Sequence, residues 1–236
     1  MHWSHQPRPA WPGEISNLDA KQDVASRLAA RAQSGDVIGI GSGSTSYLAL
    51  LALADRVHAE GLAITCIPTS YEIAGYCTAL GLTTVSLLAD RPDWCFDGAD
   101  EVDREHNLIK GRGGAFIREK LVFAAARKRV ILVDDSKFVD RLGERFAVPL
   151  EVIPEAVNLV RDTLGDSLGV VPVIRPAGGK DGGVITEQGG IVMDLPLTAE
   201  VLAAHPPAEL DALLDHTVGI NGSGLFTGFE LEVLSD

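Results

Sequence analysis

Apolar residues recur at helical spacing from Val24 through Leu28 to Ala32, and Gly35 stands where such a helix would stop. Asn17 is suited to cap its start. The pattern then shortens to an apolar run, Val37 to Ile40, followed by the turn Gly-Ser-Gly-Ser-Thr-Ser at 41 to 46 and an apolar helical stretch from Tyr47 to about Val57. Strand, polar turn and helix follow one another, and the order returns with Leu62 to Ile67 as a strand, Tyr71 to Leu80 as a helix and Thr83 to Leu88 as a strand. Two further strand-like runs, Trp94 to Phe96 and Arg129 to Val133, each end in acidic residues. This alternation predicts an α/β fold with a Rossmann-like, mainly parallel sheet flanked by helices. Open sheets of this kind bind ligands at the C-terminal ends of their strands. The polar residues after Ile40, Phe96 and Val133 are therefore the first candidates for a site.

Around Pro149 to Pro154 the rhythm changes. A strand from Leu150 to Ile153, a helix from about Glu155 to Leu164 and a strand from Val170 to Ile174 lead to the turn-rich segment 176 to 183. Val184 to Glu187 and Ile191 to Leu195 then read as a hairpin around Gln188, Gly189 and Gly190. This predicts a second, smaller α+β domain. The strand-like tail from Val218 to Leu234 is expected to return to the first domain. The expected division is an N-terminal arm over 1–16, an α/β domain over 17–148 with 220–236, and the small domain over 149–219. The arm is read as flexible, because its prolines and tryptophans form neither the basic start nor the apolar centre of a signal peptide.

Composition narrows the range of partners. Of 236 residues, 46% are hydrophobic and 22% charged, the balance of an ordinary globular protein. A formal net charge of −13 repels phosphate backbones and anionic lipid head groups, which argues against nucleic acid as a partner. The same field opposes an anionic metabolite, so a phosphate site needs nearby lysines and backbone N–H groups. No apolar run approaches the roughly 20 residues that span a bilayer, which argues against a membrane-embedded protein. Cys66, Cys77 and Cys95 lack metal-ligand or CxxC spacing and read as buried thiols in a reducing, cytoplasmic compartment.

Three stretches could carry chemistry. The turn Ser42, Gly43, Ser44, Thr45 leads from a strand into a helix, where free N–H groups and hydroxyls can cradle a phosphate. It is neither a Walker A nor a dinucleotide motif, and a plain serine-capped turn reads equally well. Asp97, Asp100, Glu101 and Asp103 form an acidic cluster after a strand, with Lys110, Arg112, Gly113, Gly114 and Glu119 close behind. Moving a carbonyl between C1 and C2 of a sugar needs a base for a carbon-bound proton, a cation for the enediolate and a group that shuttles hydroxyl protons. A carboxylate, a lysine and a paired aspartate meet those needs. A metal is not expected: no histidine sits at ligand spacing, Lys110 would compete with a cation, and His58, His106, His205 and His216 stand singly.

The ordered set GSGST at 41–45, DGADE at 97–101, KGRGGA at 110–115, REK at 118–120 and DDSK at 134–137 resembles the type A ribose-5-phosphate isomerases. The likeness runs from about Asn17 to Phe226. It implies interconversion of ribose 5-phosphate and ribulose 5-phosphate through a cis-enediolate, without metal or cofactor, in a homodimer or homotetramer. By position, Glu119 matches the base that carries the carbon-bound proton, and Asp97 the group that assists ring opening. Asp100 and Lys110 match residues that orient substrate and stabilise charge. Phosphate contacts are implied for Ser42, Gly43, Ser44, Thr45, Lys137 and Lys21, the last of which reads from spacing alone as a solvated helix residue. Three departures stand out: Arg112 in place of a glycine, TEQGG at 186–190 and TVGINGSGLF at 217–226. The last two are expected to leave the acid–base set untouched. Arg112 keeps open a related isomerase acting on another small phosphosugar, and a sugar-phosphate sensor without catalysis is the reading from a different class.

Overall fold

The structure, a computed structural model, describes residues 8–236. In chain order, α1 (Leu18–Ala29) leads to β1 (Val37–Ile40), α2 (Ser44–Glu60), β2 (Thr65–Pro68), α3 (Tyr71–Ala79), β3 (Thr83–Thr84) and β4 (Trp94–Gly98). Two short strands, β5 (Glu101–Val102) and β6 (Leu108–Ile109), precede α4 (Phe116–Ala125), β7 (Lys128–Leu132) and β8 (Val148–Val152). There follow α5 (Val157–Leu168), β9 (Val173–Ile174), β10 (Ile191–Leu195), α6 (Ala199–Ala204) and α7 (Pro207–His216). The chain closes with β11 (Ile220–Ser223), β12 (Leu225–Phe226) and β13 (Glu232–Leu234).

Two compact units form. The first holds the chain up to Gly98 together with Leu121–Ser136 and Glu230–Asp236. Its six-stranded sheet runs β13-β7-β4-β1-β2-β3, and every pairing is parallel. The α/β expectation is met, with helices over a core that includes Leu28, Ile38, Ile40, Leu50, Leu53 and Phe96. All three cysteines are free and buried. The strand read over Thr83 to Leu88 is cut to two residues, both exposed: at the sheet edge they have a partner on one side only, β2. The first seven residues of the expected N-terminal arm lie outside the described residues. Of the rest, Trp11 packs its ring 5.4 Å from that of Tyr47, whose hydroxyl donates to the Pro9 carbonyl at 2.8 Å.

The second unit holds Ala99–Lys120 and Lys137–Phe229. It contains an antiparallel four-stranded sheet, β11-β8-β10-β9, and a three-stranded sheet, β12-β6-β5. Its core gathers Val148, Leu150 and Val152 of β8 with Val160, Leu164, Met193, Leu210 and Leu214. The hairpin read over 184–195 survives as a bridge between Ile185 and Ile191, with a continuous strand only from Ile191. The chain passes between the units after Gly98, Lys120, Ser136 and Phe229, so three of these four passages fall inside or at the end of DGADE, REK and DDSK.

The segment 217–226 bears directly on Lys110, against the expectation that it lies apart from the acid–base set. Gly224 accepts the Lys110 N–H at 2.8 Å and donates its own N–H to the Pro149 carbonyl at 2.7 Å. A Cβ at position 224 would lie 2.1 Å from the Lys110 carbonyl oxygen and 2.7 Å from the Pro149 ring. Gly224→Ala should therefore displace the Lys110 backbone and destabilise the protein by about 1–3 kcal/mol, as read by urea denaturation; an unchanged midpoint would show that the two chains do not approach so closely.

Candidate active site

In the first unit the candidate residues sit at the C-terminal ends of three neighbouring strands. β1 ends at the 41–45 turn, β4 carries Asp97, and Asp134 follows β7. Gly43, with φ of 92°, precedes α2 and offers no capping side chain, so the first N–H groups of that helix stay available to an anion. Ser42 turns its hydroxyl to Thr69 at 2.9 Å and Ser70 at 3.1 Å, and Thr45 is buried. A Cβ on Gly41 would lie 2.3 Å from the Asp97 carboxyl carbon, so only glycine allows that side chain to rest against the turn. Asp97 is 3% exposed, and its Oδ1 accepts from Ser46 Oγ at 3.2 Å and from the Gly98 N–H at 2.8 Å.

Lys21 overturns its reading as a solvated helix residue, being only 5% exposed. Its ammonium lies 3.3 Å from Ser16 Oγ and 3.4 Å from Ser44 Oγ, which puts a cation at the first residue of α2. The predicted cap at Asn17 is also revised: its backbone is left-handed, with φ of 51°, and its side chain makes no cap bond. The Asn17 side chain instead lies where it favours the ionised carboxylate of Asp134. Burial pushes the Asp134 carboxyl up, but bonds from the side chain and backbone of Ser136, the Asn17 contact and the Lys21 charge outweigh it and hold the group below the ordinary carboxylate range.

In the second unit Lys110 directly follows β6 and Glu119 occupies the first turn of α4. They are 3% and 6% exposed, and Lys110 Nζ lies 3.1 Å from Glu119 Oε2. The Phe226 ring stands 5.6 Å from the Lys110 ammonium and 5.2 Å from that of Lys120, which also pairs with Asp211 at 3.1 Å. The Gly111–Gly114 loop is held from both sides. Asp100 Oδ2 accepts the Arg112 N–H at 3.1 Å, while Arg175 Nη1 donates to the Gly111 and Arg112 carbonyls at 2.9 Å each. Arg175 is itself fixed by Asp194 through Nε at 2.9 Å. Gly113 is exposed, Gly114 is buried, and Lys137 ends a single 3₁₀ turn with its ammonium 5.8 Å from the Phe146 ring.

Several of these partners have no signal in the sequence pattern. Ser46, Thr69, Ser70, Asp134 and Arg175 are ordinary polar residues, and only Ser46 and Asp134 lie inside stretches already singled out. Among the described residues, no group of three or more His, Cys, Asp or Glu side chains is arranged to hold a metal ion. Nor is any helix among them long and apolar enough to cross a membrane.

A parallel α/β unit with an open helix N-terminus, and a second unit that buries a lysine–glutamate pair, define a class of protein that joins anion binding to acid–base chemistry. The family model for ribose 5-phosphate isomerase A (phosphoriboisomerase A) matches residues 65–235. The chain is 42% identical to the ribose-5-phosphate isomerase A of a Synechococcus strain over 210 residues, 88% of each protein. It is 38% identical to that of Methanothermobacter thermautotrophicus, over 89% of this chain and 91% of the relative. Among solved structures, ribose 5-phosphate isomerase A from Methanocaldococcus jannaschii superposes with a TM-score of 0.87 at 36% identity, covering 94% of this chain and 96% of the other. A D-ribose-5-phosphate isomerase in complex with phospho-erythronic acid gives 0.84 at 30% identity, with coverage of 94% and 93%. The chain belongs to the ribose 5-phosphate isomerase A family.

The depressed acidity of Asp134 links folding to pH with a definite sign. A carboxylate held below its unfolded value contributes stability that is fully present above about pH 4 and is lost as pH falls through the lower, folded value. Asp134→Asn should therefore be less stable than the parent near neutrality, with the gap closing below about pH 4 in urea titrations; a gap independent of pH would remove the ionised carboxylate from this role.

Proposed function

We propose that this chain interconverts ribose 5-phosphate and ribulose 5-phosphate through a cis-enediolate, with no metal ion. The observation that carries the reading is the buried Lys110–Glu119 contact in a chain of this family. In the open-chain aldose, the Glu119 carboxylate takes the proton from C2, the electron pair forms the C1–C2 double bond, and the C1 oxygen becomes the enediolate oxyanion. Lys110 stabilises that charge, which is the work a metal would otherwise do. The proton on the C2 oxygen passes to the C1 oxygen, and Glu119 returns its proton to C1, leaving the carbonyl at C2. Asp97 opens the furanose ring by taking the anomeric hydroxyl proton and returning it to the ring oxygen, and Asp100 orients the substrate.

Phosphate falls to the N–H groups and hydroxyls of Ser42, Gly43, Ser44 and Thr45, with Lys21 and Lys137 as local cations and Gly113 and Gly114 offering backbone to the sugar. The uncapped start of α2 and the buried Lys21 support this in a chain of net charge −13. A relative's complex with phospho-erythronic acid, a ligand bearing both phosphate and carboxylate, agrees with an anionic intermediate. The protein is read as cytoplasmic. It is also read as a homodimer or homotetramer, since exposed Ile153, Leu159, Val171, Val173, Ile185 and Val218 all belong to the second unit.

Purified protein should convert ribose 5-phosphate to the ketose in a spectrophotometric assay, at the same rate with and without a chelator. No turnover sinks the substrate, faster turnover of a four- or six-carbon aldose phosphate moves the preference, and chelator sensitivity sinks the metal-free route. Glu119→Gln should lower kcat by about 10²–10⁴-fold while substrate binding persists; an active variant would remove Glu119 from the proton transfer. Light scattering should give a mass two or four times that of the chain, and a monomer would assign the exposed apolar residues elsewhere.

A further inference from the structure

The guanidinium of Arg175 divides its donors between a carboxylate and a loop. Nε and Nη2 meet Asp194 as a fork, Nε donating to Oδ2 at 2.9 Å and Nη2 to Oδ1. The two N–H groups of Nη1 are thereby left for the carbonyls of Gly111 and Arg112, each accepting at 2.9 Å. Sheet pairing sets the place of the fork: Asp194 lies on β10, Arg175 directly follows the neighbouring β9, and the Arg175 N–H donates to the Val192 carbonyl at 2.9 Å. All of these residues belong to the second unit.

Drawing two successive carbonyls to one nitrogen fixes the peptides that carry them. A trans peptide points its N–H opposite to its C=O, and no peptide bond among the described residues is cis. The N–H groups of Arg112 and Gly113 are therefore turned away from Arg175. The first of them donates to Asp100 Oδ2 at 3.1 Å, on the side opposite the guanidinium. Two further features restrain the loop. The Gly114 N–H donates to the Gly111 carbonyl at 3.0 Å, and Gly111, with φ of 107°, lies so close to Phe116 that a Cβ there would come within 2.6 Å of the ring.

We infer that Arg175, with Asp194 behind it, is a positioning residue for the isomerisation: by holding the Gly111 and Arg112 carbonyls it aims the Arg112 N–H at Asp100 and so sets the carboxylate that orients the sugar. The part played by Asp100 rests on the isomerase reading. Arg175 acts through the two peptides rather than on the sugar. Lysine cannot take its place, because an ammonium presents its donors from one atom and has no planar fork with which to hold a carboxylate while serving two carbonyls.

The test joins steady-state kinetics on ribose 5-phosphate to amide hydrogen exchange, both on the full chain. Arg175→Lys should lower kcat about tenfold to hundredfold, as a small misalignment of an orienting group does, while the inhibition constant of inorganic phosphate stays within about twofold of the parent. Asp194→Asn, which weakens the fork without touching either carbonyl, should lower kcat in the same sense. Joined with Asp100→Asn, Arg175→Lys should lose far less than the product of the two single effects, because both act on one carboxylate. The Arg112 amide should exchange about tenfold faster in Arg175→Lys. Three results overturn the positioning role: losses that multiply with Asp100→Asn, a kcat per folded molecule at the parent value in both single variants, or parent-like exchange at Arg112. If the parent protein fails to isomerise ribose 5-phosphate, the function falls instead, and amide exchange alone decides whether Arg175 sets the loop.

Discussion

A lysine and a glutamate taken almost wholly out of water must answer each other's charge, and much of the second unit is arranged around that requirement. Losing either partner of a buried pair costs about 3–5 kcal/mol, so the 3.1 Å contact between Lys110 and Glu119 constrains everything that carries them. Lys110 is registered through its backbone to Gly224, and the ring of Phe226 stands beside its ammonium. Glu119 is delivered by the first turn of α4, directly after a loop held by Asp100 on one side and by Arg175 on the other. The pair is preorganised, because its surroundings can hardly shift without exposing or stranding a charge.

The first unit meets a different constraint with different means. A parallel sheet brings the ends of β1, β4 and β7 to one edge, which collects the 41–45 turn, Asp97 and Asp134 although they lie far apart in the chain. Carboxylates gathered there would repel an anion. The opposing charge is local: Lys21 is buried beside the start of α2, and hydrogen bonds from Ser46 and Gly98 occupy Asp97. A chain of net charge −13 thus keeps positive potential where the helix dipole adds to it, and leaves the rest of its surface acidic.

Much of this was legible beforehand because it is local or periodic. The change from helical spacing to short apolar runs located β1, α2, β2 and α3 of the parallel sheet. The ordered motifs 41–45, 97–101, 110–115, 118–120 and 134–137 pointed to a family that the comparisons bear out. Arg112 was already visible as a cation where glycine is usual. The errors share a cause. Spacing alone makes Asn17 a helix cap and Lys21 a solvated residue, although the resemblance implies a phosphate contact for Lys21, because helical spacing describes one face of one element and is silent about what packs on it.

The sequence by itself determined the strand–helix alternation of the parallel sheet, the residue types available for acid–base work and the need for local cations in an acidic chain; it gave no sign of β5, β6, α6 or α7. The features it determined follow from side-chain periodicity and charge, which are properties of the chain alone. Only the tertiary structure decided that Lys110 faces Glu119, that Gly224 sets the backbone of Lys110, and that Lys21 is buried beside Ser44. Each of those contacts joins residues brought together by sheet register or core packing. Their energy depends on burial and on a partner distant in sequence, neither of which exists until the chain has folded.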